Sequence, residues 1–340
     1  MSIVQAPIVF FVAVGAGLLS EGPARVAAVT FESRDSTLTI KHPALYPETI
    51  EYESGKDRFL LGSFRDGGIY EVDQAGRASL LIDDPRLCSV LGITVDAERK
   101  RLWAVTADLG ASLRPSSVGP KKLAGIGIYD LSEGKPIRYV DLATLADGPH
   151  LLNGIALDAQ GNAYITDSFS PRIYKVTAEG QASVFLEDRS FAGAGVNLNG
   201  LVVHPDGYLL VVKKSDGVLF KVPLDRPAGF SKVAVDQAFI GGDGLALIGA
   251  RDLVVIANST PEHSTNAAFS LSSEDGWATA KVAARRALGD VYPTTAVVRK
   301  GMLYLVHSSL GQLIAAPAAK KAELKESATI RPIGRISIGR

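Results

Sequence analysis

The chain of 340 residues is predicted to be an all-β protein, a six-bladed β-propeller of four-stranded antiparallel blades around a central site. One unit, an Asn or Asp followed by a glycine and an apolar strand, recurs about 45 residues apart, and this period is typical of propellers. The copies begin at Asn153, Asn199 and Asp243. Between them, short apolar runs alternate with Gly- and Pro-containing turns, which favours short strands over helices.

The blades can be followed along the chain. Apolar runs at 154–157, 163–166, 172–176 and 182–186 are separated by turn signals and predict the four strands of one blade. The same pattern covers five further stretches, which begin near Glu48, Leu91, Asn199, Asp243 and Thr294.

The sixth stretch, with further strands predicted at 302–306 and 312–315, is one strand short. We predict that a terminal segment, residues 29–33, 37–40 or 329–333, completes this blade. Closing the ring in this way removes an exposed sheet edge.

Charge and cysteine content exclude several classes of function. Lys plus Arg and Asp plus Glu both number 36, so no basic surplus indicates a nucleic-acid partner. The single cysteine, Cys88, excludes an intrachain disulfide and a multi-cysteine metal site. Its apolar neighbours predict a buried, unreactive thiol.

The N-terminus indicates export. An apolar run from Ile8 to Leu19, followed by small residues up to Ala28, predicts a signal peptide over residues 1–28. A single propeller domain over residues 29–340 would then be secreted or periplasmic. The first seven residues contain no Lys or Arg, which leaves an N-terminal strand or a membrane-proximal anchor as alternatives. No segment is long and apolar enough to predict a stable membrane span.

The repeated Asn and Asp residues are candidate ligands. An oxygen-bearing side chain at the same place in successive blades points toward the propeller axis. Each of these blades has its own hairpin turn further along, so a turn does not explain the Asn-Gly and Asp-Gly pairs. Glu48 stands at the same place in the first blade. Glu48, Asn153, Asn199 and Asp243 therefore form an all-oxygen set that suits a hard cation, calcium or alternatively magnesium or manganese.

The order of Glu48, Asn153-Gly154, Asn199-Gly200 and Asp243-Gly244 over residues 43–316 resembles the SMP-30/gluconolactonase family. That family comprises calcium-dependent six-bladed propeller hydrolases related to paraoxonases and diisopropylfluorophosphatases. The resemblance implies that Glu48, Asn199 and Asp243 bind the metal and that Asn153 binds metal or substrate. It also makes Asp243 the candidate that assists deprotonation of a metal-held water.

Two features depart from that family. Its usual Glu-(Ser/Gly)-Pro opening is replaced here by Pro47-Glu48-Thr49. A paraoxonase-like histidine pair is not evident, which argues against an arylesterase mechanism.

Antiparallel topology predicts which loops roof the site. The first strand of each blade starts on the face where the second strand ends, so the loops after the second strands surround one mouth. These loops contain residues 63–65, 106–108, 167–169, 213–214, 258–259 and 307–308. His150 and His307 are candidate substrate contacts at this mouth, with a structural role as the alternative. The long loop at 106–125 is either a lid or a surface insertion.

The sequence therefore predicts a metal-dependent hydrolase of a lactone or related small ester, with a small molecule as its partner. The metal would polarise the carbonyl group and activate water. Two alternatives use the same site: a phosphotriesterase-type hydrolase, and a noncatalytic propeller that binds a ligand or a protein. A serine hydrolase is disfavoured because the chain lacks Gly-x-Ser-x-Gly. The oligomeric state stays open.

Overall fold

The computed structural model describes residues 27–31, 37–326 and 328–338, and these form six antiparallel sheets. The six-bladed propeller predicted from the sequence is confirmed. Within the described residues, no helix is long and apolar enough to cross a lipid bilayer. Most of the predicted signal peptide lies outside the described residues, and its last two residues, Ala27 and Ala28, begin the first strand.

Blades 1 to 5 each consist of four strands that are consecutive in the chain. The strands of each blade are given from the innermost outward. Blade 1 contains β3 (Pro47–Glu53), β4 (Arg58–Ser63), β5 (Ile69–Val72) and β6 (Ala78–Ile82), and blade 2 contains β7 (Ser89–Asp96), β8 (Arg101–Ala107), β9 (Gly125–Asp130) and β10 (Pro136–Asp141). Blade 3 contains β11 (Leu152–Leu157), β12 (Ala163–Asp167), β13 (Arg172–Val176) and β14 (Ala182–Glu187). Blade 4 contains β15 (Leu198–His204), β16 (Tyr208–Lys213), β17 (Leu219–Pro223) and β18 (Ser231–Lys232). Blade 5 contains β19 (Gly242–Gly249), β20 (Asp252–Ala257), β21 (Ala267–Ser272) and β22 (Lys281–Ala287).

Blade 6 joins the two ends of the chain. Its inner strands are β23 (Tyr292–Arg299), β24 (Met302–Ser308) and the long β25 (Ala328–Ile338). Two N-terminal strands, β1 (Ala27–Thr30) and β2 (Leu38–Ile40), pair antiparallel with the two halves of β25. The predicted closure of the ring by terminal segments is therefore confirmed, and it covers the edge that β25 would otherwise expose.

One predicted strand is wrong. Residues 312–315 belong to a short helix, α1 (Leu310–Ala315), rather than to the third strand of blade 6. Leu310 and Leu313, three positions apart, are the buried residues of this helix. That spacing places them on one helical face, which packs into the core, while β25 supplies the third strand.

Apolar side chains hold neighbouring blades together. In the largest cluster, Trp103 and Ile126 of blade 2 pack with Ile155 and Tyr174 of blade 3, and all four are buried. Contacts between the faces of adjacent sheets thus fix the angular position of each blade around the axis. In the part of the chain that the structure describes, four short 3₁₀ turns lie outside the sheets, at Ala143–Leu145, Arg189–Phe191, Pro227–Gly229 and Ala318–Glu323.

Candidate functional site

The innermost strands of all six blades line one central cavity of about 440 Å³. Its walls combine aliphatic residues, with Leu91, Ile155, Leu201 and Leu245 among them, and polar residues such as Glu51 and Thr94. The oxygen-bearing side chains predicted from the sequence lie where the innermost strands begin. The channel therefore carries polar groups at this mouth and a mixed lining along its length.

The glycines of the repeated unit allow the innermost strands to approach each other closely. A Cβ atom on any of four glycines would lie 2.1–2.7 Å from a carbonyl oxygen of the next blade. These contacts join Gly92 to Asn153, Gly154 to Asn199, Gly200 to Asp243 and Gly244 to Thr294. The repeat thus combines two functions: the Asn or Asp lines the axis, and the glycine makes room for the backbone of its neighbour.

Threonine takes over this contact between blades 6 and 1. The hydroxyl group of Thr295 donates a hydrogen bond to the carbonyl oxygen of Glu48 at 3.1 Å. This bond places Glu48 in register with the other candidate residues, although its blade lacks the Asn-Gly or Asp-Gly signal.

Replacing Gly200 by Ala should lower the free energy of unfolding by about 2 kcal/mol, because overpacking against rigid backbone is not relieved by a rotamer change. The added Cβ would lie 2.1 Å from the Asp243 carbonyl oxygen. Gly229→Ala is the control, since its nearest neighbour is the flexible Arg226 side chain at 3.2 Å. Urea denaturation of both variants makes the comparison, and an equal loss in both would contradict the close-packing role.

The loops predicted to roof the site do surround this mouth. In every blade, the first residues of the innermost strand pair with the last residues of the second strand, as in Leu152 with Asp167 and Leu198 with Lys213. Residues that follow the second strands therefore stand beside the candidate ligands.

The structure brings Glu48, Asn153, Asn199 and Asp243 to one channel, where they are 3–6% exposed. The Asn153 amide donates to the Ser168 hydroxyl at 3.2 Å. Among the described residues, the side chains of Glu48 and Asn199 have no hydrogen-bond partner. Both residues line the channel, so their polar atoms are available to bind a polar ligand there.

Lys214 and Asn258 lie in the loops that the sequence predicts around the mouth, but the sequence did not predict their contacts with Asp243. The Lys214 ammonium group donates to Asp243 Oδ2 at 2.9 Å, to the Asn258 side-chain oxygen and to the Gly241 carbonyl oxygen at 3.4 Å. The Asn258 amide also donates to Asp243 Oδ2. The lysine pair at 213 and 214 was the signal for an inward-facing charge. Successive side chains at a strand end point to opposite sides, so one of the two lysines had to face the channel.

The charges of this cluster influence one another. Burial and the neighbouring Asp243 carboxylate raise the pKa of Glu48 well above its usual range, and Lys214 only partly offsets them. Burial opposes the charged form of Lys214, but the carboxylates of Asp243 and Glu48 nevertheless raise its pKa. The cluster therefore holds an ammonium–carboxylate pair beside a carboxyl group that is easily protonated.

The donor types fit the calcium ion that the sequence predicts, but the charges do not. Among the described residues, no group of three or more His, Cys, Asp or Glu side chains is arranged for a metal. Lys214 Nζ is 2.9 Å from Asp243 Oδ2, so a divalent ion on that carboxylate would face a positive charge at close range. At such distances the repulsion amounts to several kcal/mol, and the site does not fit a divalent ion while Lys214 keeps its position.

His150 precedes β11 and is buried, but it does not line the channel, and both of its ring nitrogens are paired within the protein. Nδ1 is 2.7 Å from Asp167 Oδ2, and Nε2 is 3.1 Å from the Ala146 carbonyl oxygen. Two acceptors require two N–H donors, so this geometry suits the imidazolium form. The hydrogen bond with Asp167 accordingly raises the pKa of His150. Its contact with substrate stays a prediction, and the structure shows a role in positioning the loop.

His307 lines a second cavity, of about 510 Å³, between blades 5 and 6. Its Nε2 is paired with the Thr329 hydroxyl, and burial, with Arg331 nearby, lowers the pKa of His307 to about 4. Tyr292 also lines this cavity, and its ring centroid is 5.9 Å from Lys214 Nζ. The predicted substrate contact of His307 would therefore be made in this side cavity and not in the channel.

The long loop between β8 and β9 is anchored to three blades. Leu113 N donates to the Arg65 carbonyl oxygen at 2.6 Å, and the Ser112 hydroxyl donates to the Cys88 carbonyl oxygen at 2.6 Å. His150 N donates to the Lys121 carbonyl oxygen at 2.8 Å. The loop is thus tied to blades 1, 2 and 3, and none of its residues lines the channel. Cys88 is buried, which raises the pKa of its thiol to about 11 and agrees with the predicted unreactive role.

Comparison with known proteins identifies the fold. No protein-family model and no curated protein matches the chain. Among solved structures, the Malassezia sympodialis allergen Mala s 1 is similar with a TM-score of 0.66 and 18% identity, over 90% of this chain and 97% of that chain. The calcium-binding protein regucalcin from Agrobacterium tumefaciens gives a TM-score of 0.59 and 17% identity, over 89% and 95%. Virginiamycin B lyase from Staphylococcus aureus gives a TM-score of 0.54 and 11% identity, over 90% of this chain and 99% of that chain.

At these identities the likeness shows a shared propeller fold and no particular family. The fold occurs in an allergen, a calcium-binding protein and a lyase, so it is compatible with propeller enzymes as well as with propellers of other kinds. Function must therefore be argued from the site.

Proposed function

We propose that this protein hydrolyses a small carboxylic ester or lactone at the polar mouth of its central channel. The observation that carries the proposal is the Glu48 carboxyl group, which is 6% exposed and lacks a partner among the described residues, beside the Lys214–Asp243 ion pair. Burial and the Asp243 carboxylate raise the pKa of Glu48, which makes its carboxylate form a stronger general base than an ordinary glutamate.

Glu48 takes the proton of the attacking water in this scheme. The water oxygen forms a bond to the carbonyl carbon, and the tetrahedral intermediate then breaks the bond to the alkoxide oxygen. The proton held by Glu48 passes to that alkoxide, so Glu48 ends the cycle as the carboxylate. The resemblance to the SMP-30/gluconolactonase family gave this role to Asp243. We assign it to Glu48 because Asp243 Oδ2 already accepts from Lys214 and Asn258, which makes Asp243 a positioning residue.

The oxyanion of the intermediate needs positive charge and hydrogen-bond donors. Lys214 supplies the charge, held rigidly by three acceptors. The Asn199 amide, unpartnered among the described residues, is available as a donor to the substrate carbonyl oxygen. Fixed dipoles and charges of this kind need no reorganisation during the reaction, which is why they stabilise a transition state effectively.

The dimensions and lining of the channel support a small substrate with an apolar part. A cavity of about 440 Å³ whose lining includes Leu91, Ile155, Leu201 and Leu245 accommodates a short acyl chain or a lactone ring beyond the polar mouth. Export to the periplasm or the exterior, as the N-terminal sequence predicts, is part of the proposal. Calcium dependence stays a prediction from the sequence, and no step of the scheme uses it.

Acid release from sugar, aliphatic and aromatic lactones tests the proposal, measured on the purified chain before and after EDTA and again with added calcium. We expect hydrolysis that EDTA leaves unchanged. Loss with EDTA and recovery with calcium would instead reinstate the metal-dependent hydrolase. Absence of hydrolysis from every lactone in the panel would contradict the proposal and favour a ligand-binding propeller.

A further inference from the structure

Two adjacent lysines at the end of β16 have opposite surroundings. Lys213 Nζ faces the outer loops, where it contacts the Ser190 and Ala192 carbonyl oxygens at 3.1 and 2.8 Å and Asp216 at 2.9 Å. Lys214 Nζ faces the channel and contacts Asp243, Asn258 and Gly241. Both residues are less than 9% exposed, so burial alone does not distinguish them. Only Lys214 places its charge among the candidate ligands.

Three protein oxygens surround the Lys214 ammonium group. Asp243 Oδ2, the Asn258 side-chain oxygen and the Gly241 carbonyl oxygen all accept from Nζ. Glu48 and Asn199 lie in the same channel without side-chain partners among the described residues. Calcium takes six to eight oxygen ligands of these kinds, from carboxylates, amides, backbone carbonyls and water.

The charge balance explains why an ammonium group occupies this position. Two carboxylates, Glu48 and Asp243, would balance a divalent ion. With Lys214 at 2.9 Å from Asp243, one of these negative charges is already balanced by the chain itself. An ion that bound here would have to displace Lys214 or tolerate it as a neighbour.

We propose that the Lys214 ammonium group is the resident cation of this channel, in the place of a divalent metal, and that removing its charge converts the surrounding oxygens into a calcium site. The inference concerns binding and goes beyond the proposed hydrolysis, because it holds whether or not the site is catalytic. It also explains how a chain can keep the oxygen ligands of a metal site while its charges oppose the metal.

Calcium titration of the wild type, Lys214→Met and the matched control Lys213→Met tests the inference, with calcium alone as the probe and calorimetry as the readout. Met keeps the unbranched stem and removes the charge. We expect no saturable binding by the wild type or by Lys213→Met. Lys214→Met should bind calcium at least about 100-fold more tightly than the wild type. A 100-fold gain in affinity corresponds to about 2.8 kcal/mol, which is less than the repulsion between Lys214 and the ion that the substitution removes.

Thermal unfolding gives a second, independent readout. Without calcium, Lys214→Met leaves Asp243 buried without a counter-charge, and its melting temperature should fall below that of the wild type. Calcium should raise it again, because a ligand that binds only the folded state stabilises that state. Lys214→Gln, which removes the charge but keeps a hydrogen-bond donor, is measured in parallel in case the Met variant folds poorly.

Three results would overturn the inference. Calcium binding by the wild type in the micromolar range would show that Lys214 does not keep the ion out. Lack of calcium binding by both Lys214 variants would show that the remaining oxygens do not form a site. Failure of both variants to fold even in calcium would show that the ion cannot replace the ammonium group. None of these results depends on lactone hydrolysis, so failure of the proposed activity would be recognised separately.

Discussion

Glu48→Gln is expected to lower lactone turnover by about 10²–10⁴-fold, the usual contribution of a general base, while leaving the fold intact. Gln has nearly the same shape as Glu, so the packing at the start of β3 is conserved. It cannot accept the proton of the attacking water. Steady-state kinetics on the best lactone of the panel, together with thermal unfolding of the variant, makes the measurement.

Glu51→Gln is the matched control for this prediction. Glu51 lies on the same strand and lines the same channel, three positions along the chain and so about 10 Å from Glu48 along the strand. Burial raises its pKa to about 7, so it is also a carboxyl group with perturbed titration. We expect Glu51→Gln to retain turnover. Equal losses in the two variants would mean that the channel needs negative charge in general, and full activity of Glu48→Gln would remove Glu48 from the mechanism.

Asp167→Ala is expected to lower the free energy of unfolding by about 3–5 kcal/mol at pH 6, as is typical when one partner of a buried ion pair is removed. The change leaves the His150 imidazolium ring without its carboxylate. It also removes the acceptor that Asp167 Oδ1 provides to the backbone N–H groups of Leu151 and Phe169 at 2.9 and 3.1 Å. Urea denaturation at a series of pH values makes the measurement.

Asp167→Asn separates the charge from the backbone hydrogen bonds. The amide oxygen can still accept from Leu151 and Phe169, so only the interaction with charged His150 is lost. Because the folded-state pKa of His150 lies above its unfolded value of about 6.5, the stabilisation is complete below that pH and disappears as pH rises through the folded-state pKa. The stability deficit of Asp167→Asn should therefore shrink on going from pH 6 to alkaline pH.

The low pKa of His307 makes stability depend on pH in the adjacent range below about pH 6.5, and this contribution has to be subtracted. As the pH falls from about 6.5 to about 4, the His307 side chain gains a proton in the unfolded chain but not in the folded protein, because its folded-state pKa is about 4. The free energy of unfolding therefore decreases as the pH falls through that window. His307 is present in the wild type and in both Asp167 variants, so the difference between them isolates His150. A deficit of Asp167→Asn that does not change with pH would contradict the imidazolium assignment.

Much of the architecture follows from local pattern. Apolar runs of strand length with turn signals between them predict four-stranded blades, and the interval between the Asn-Gly and Asp-Gly pairs predicts their number and order. Antiparallel topology then predicts that residues after the second strands surround the mouth, as the pairing of Leu152 with Asp167 confirms. Helix α1 was predicted as a strand because a four-residue apolar run is compatible with both the helical and the strand period.

The sequence by itself determined which residues line the axis, because Glu48, Asn153, Asn199 and Asp243 hold equivalent positions in a repeat, and equivalent positions become neighbours around a closed ring. Only the tertiary structure decided how these residues are used. Lys214 reaches Asp243 across the boundary between blades 4 and 5, and Asp167 meets His150 from the neighbouring strand. Such pairs depend on side-chain direction and on the distance between separate elements, which no local pattern specifies. For that reason the sequence predicted the candidate ligands but not the Lys214 ammonium group that lies beside them.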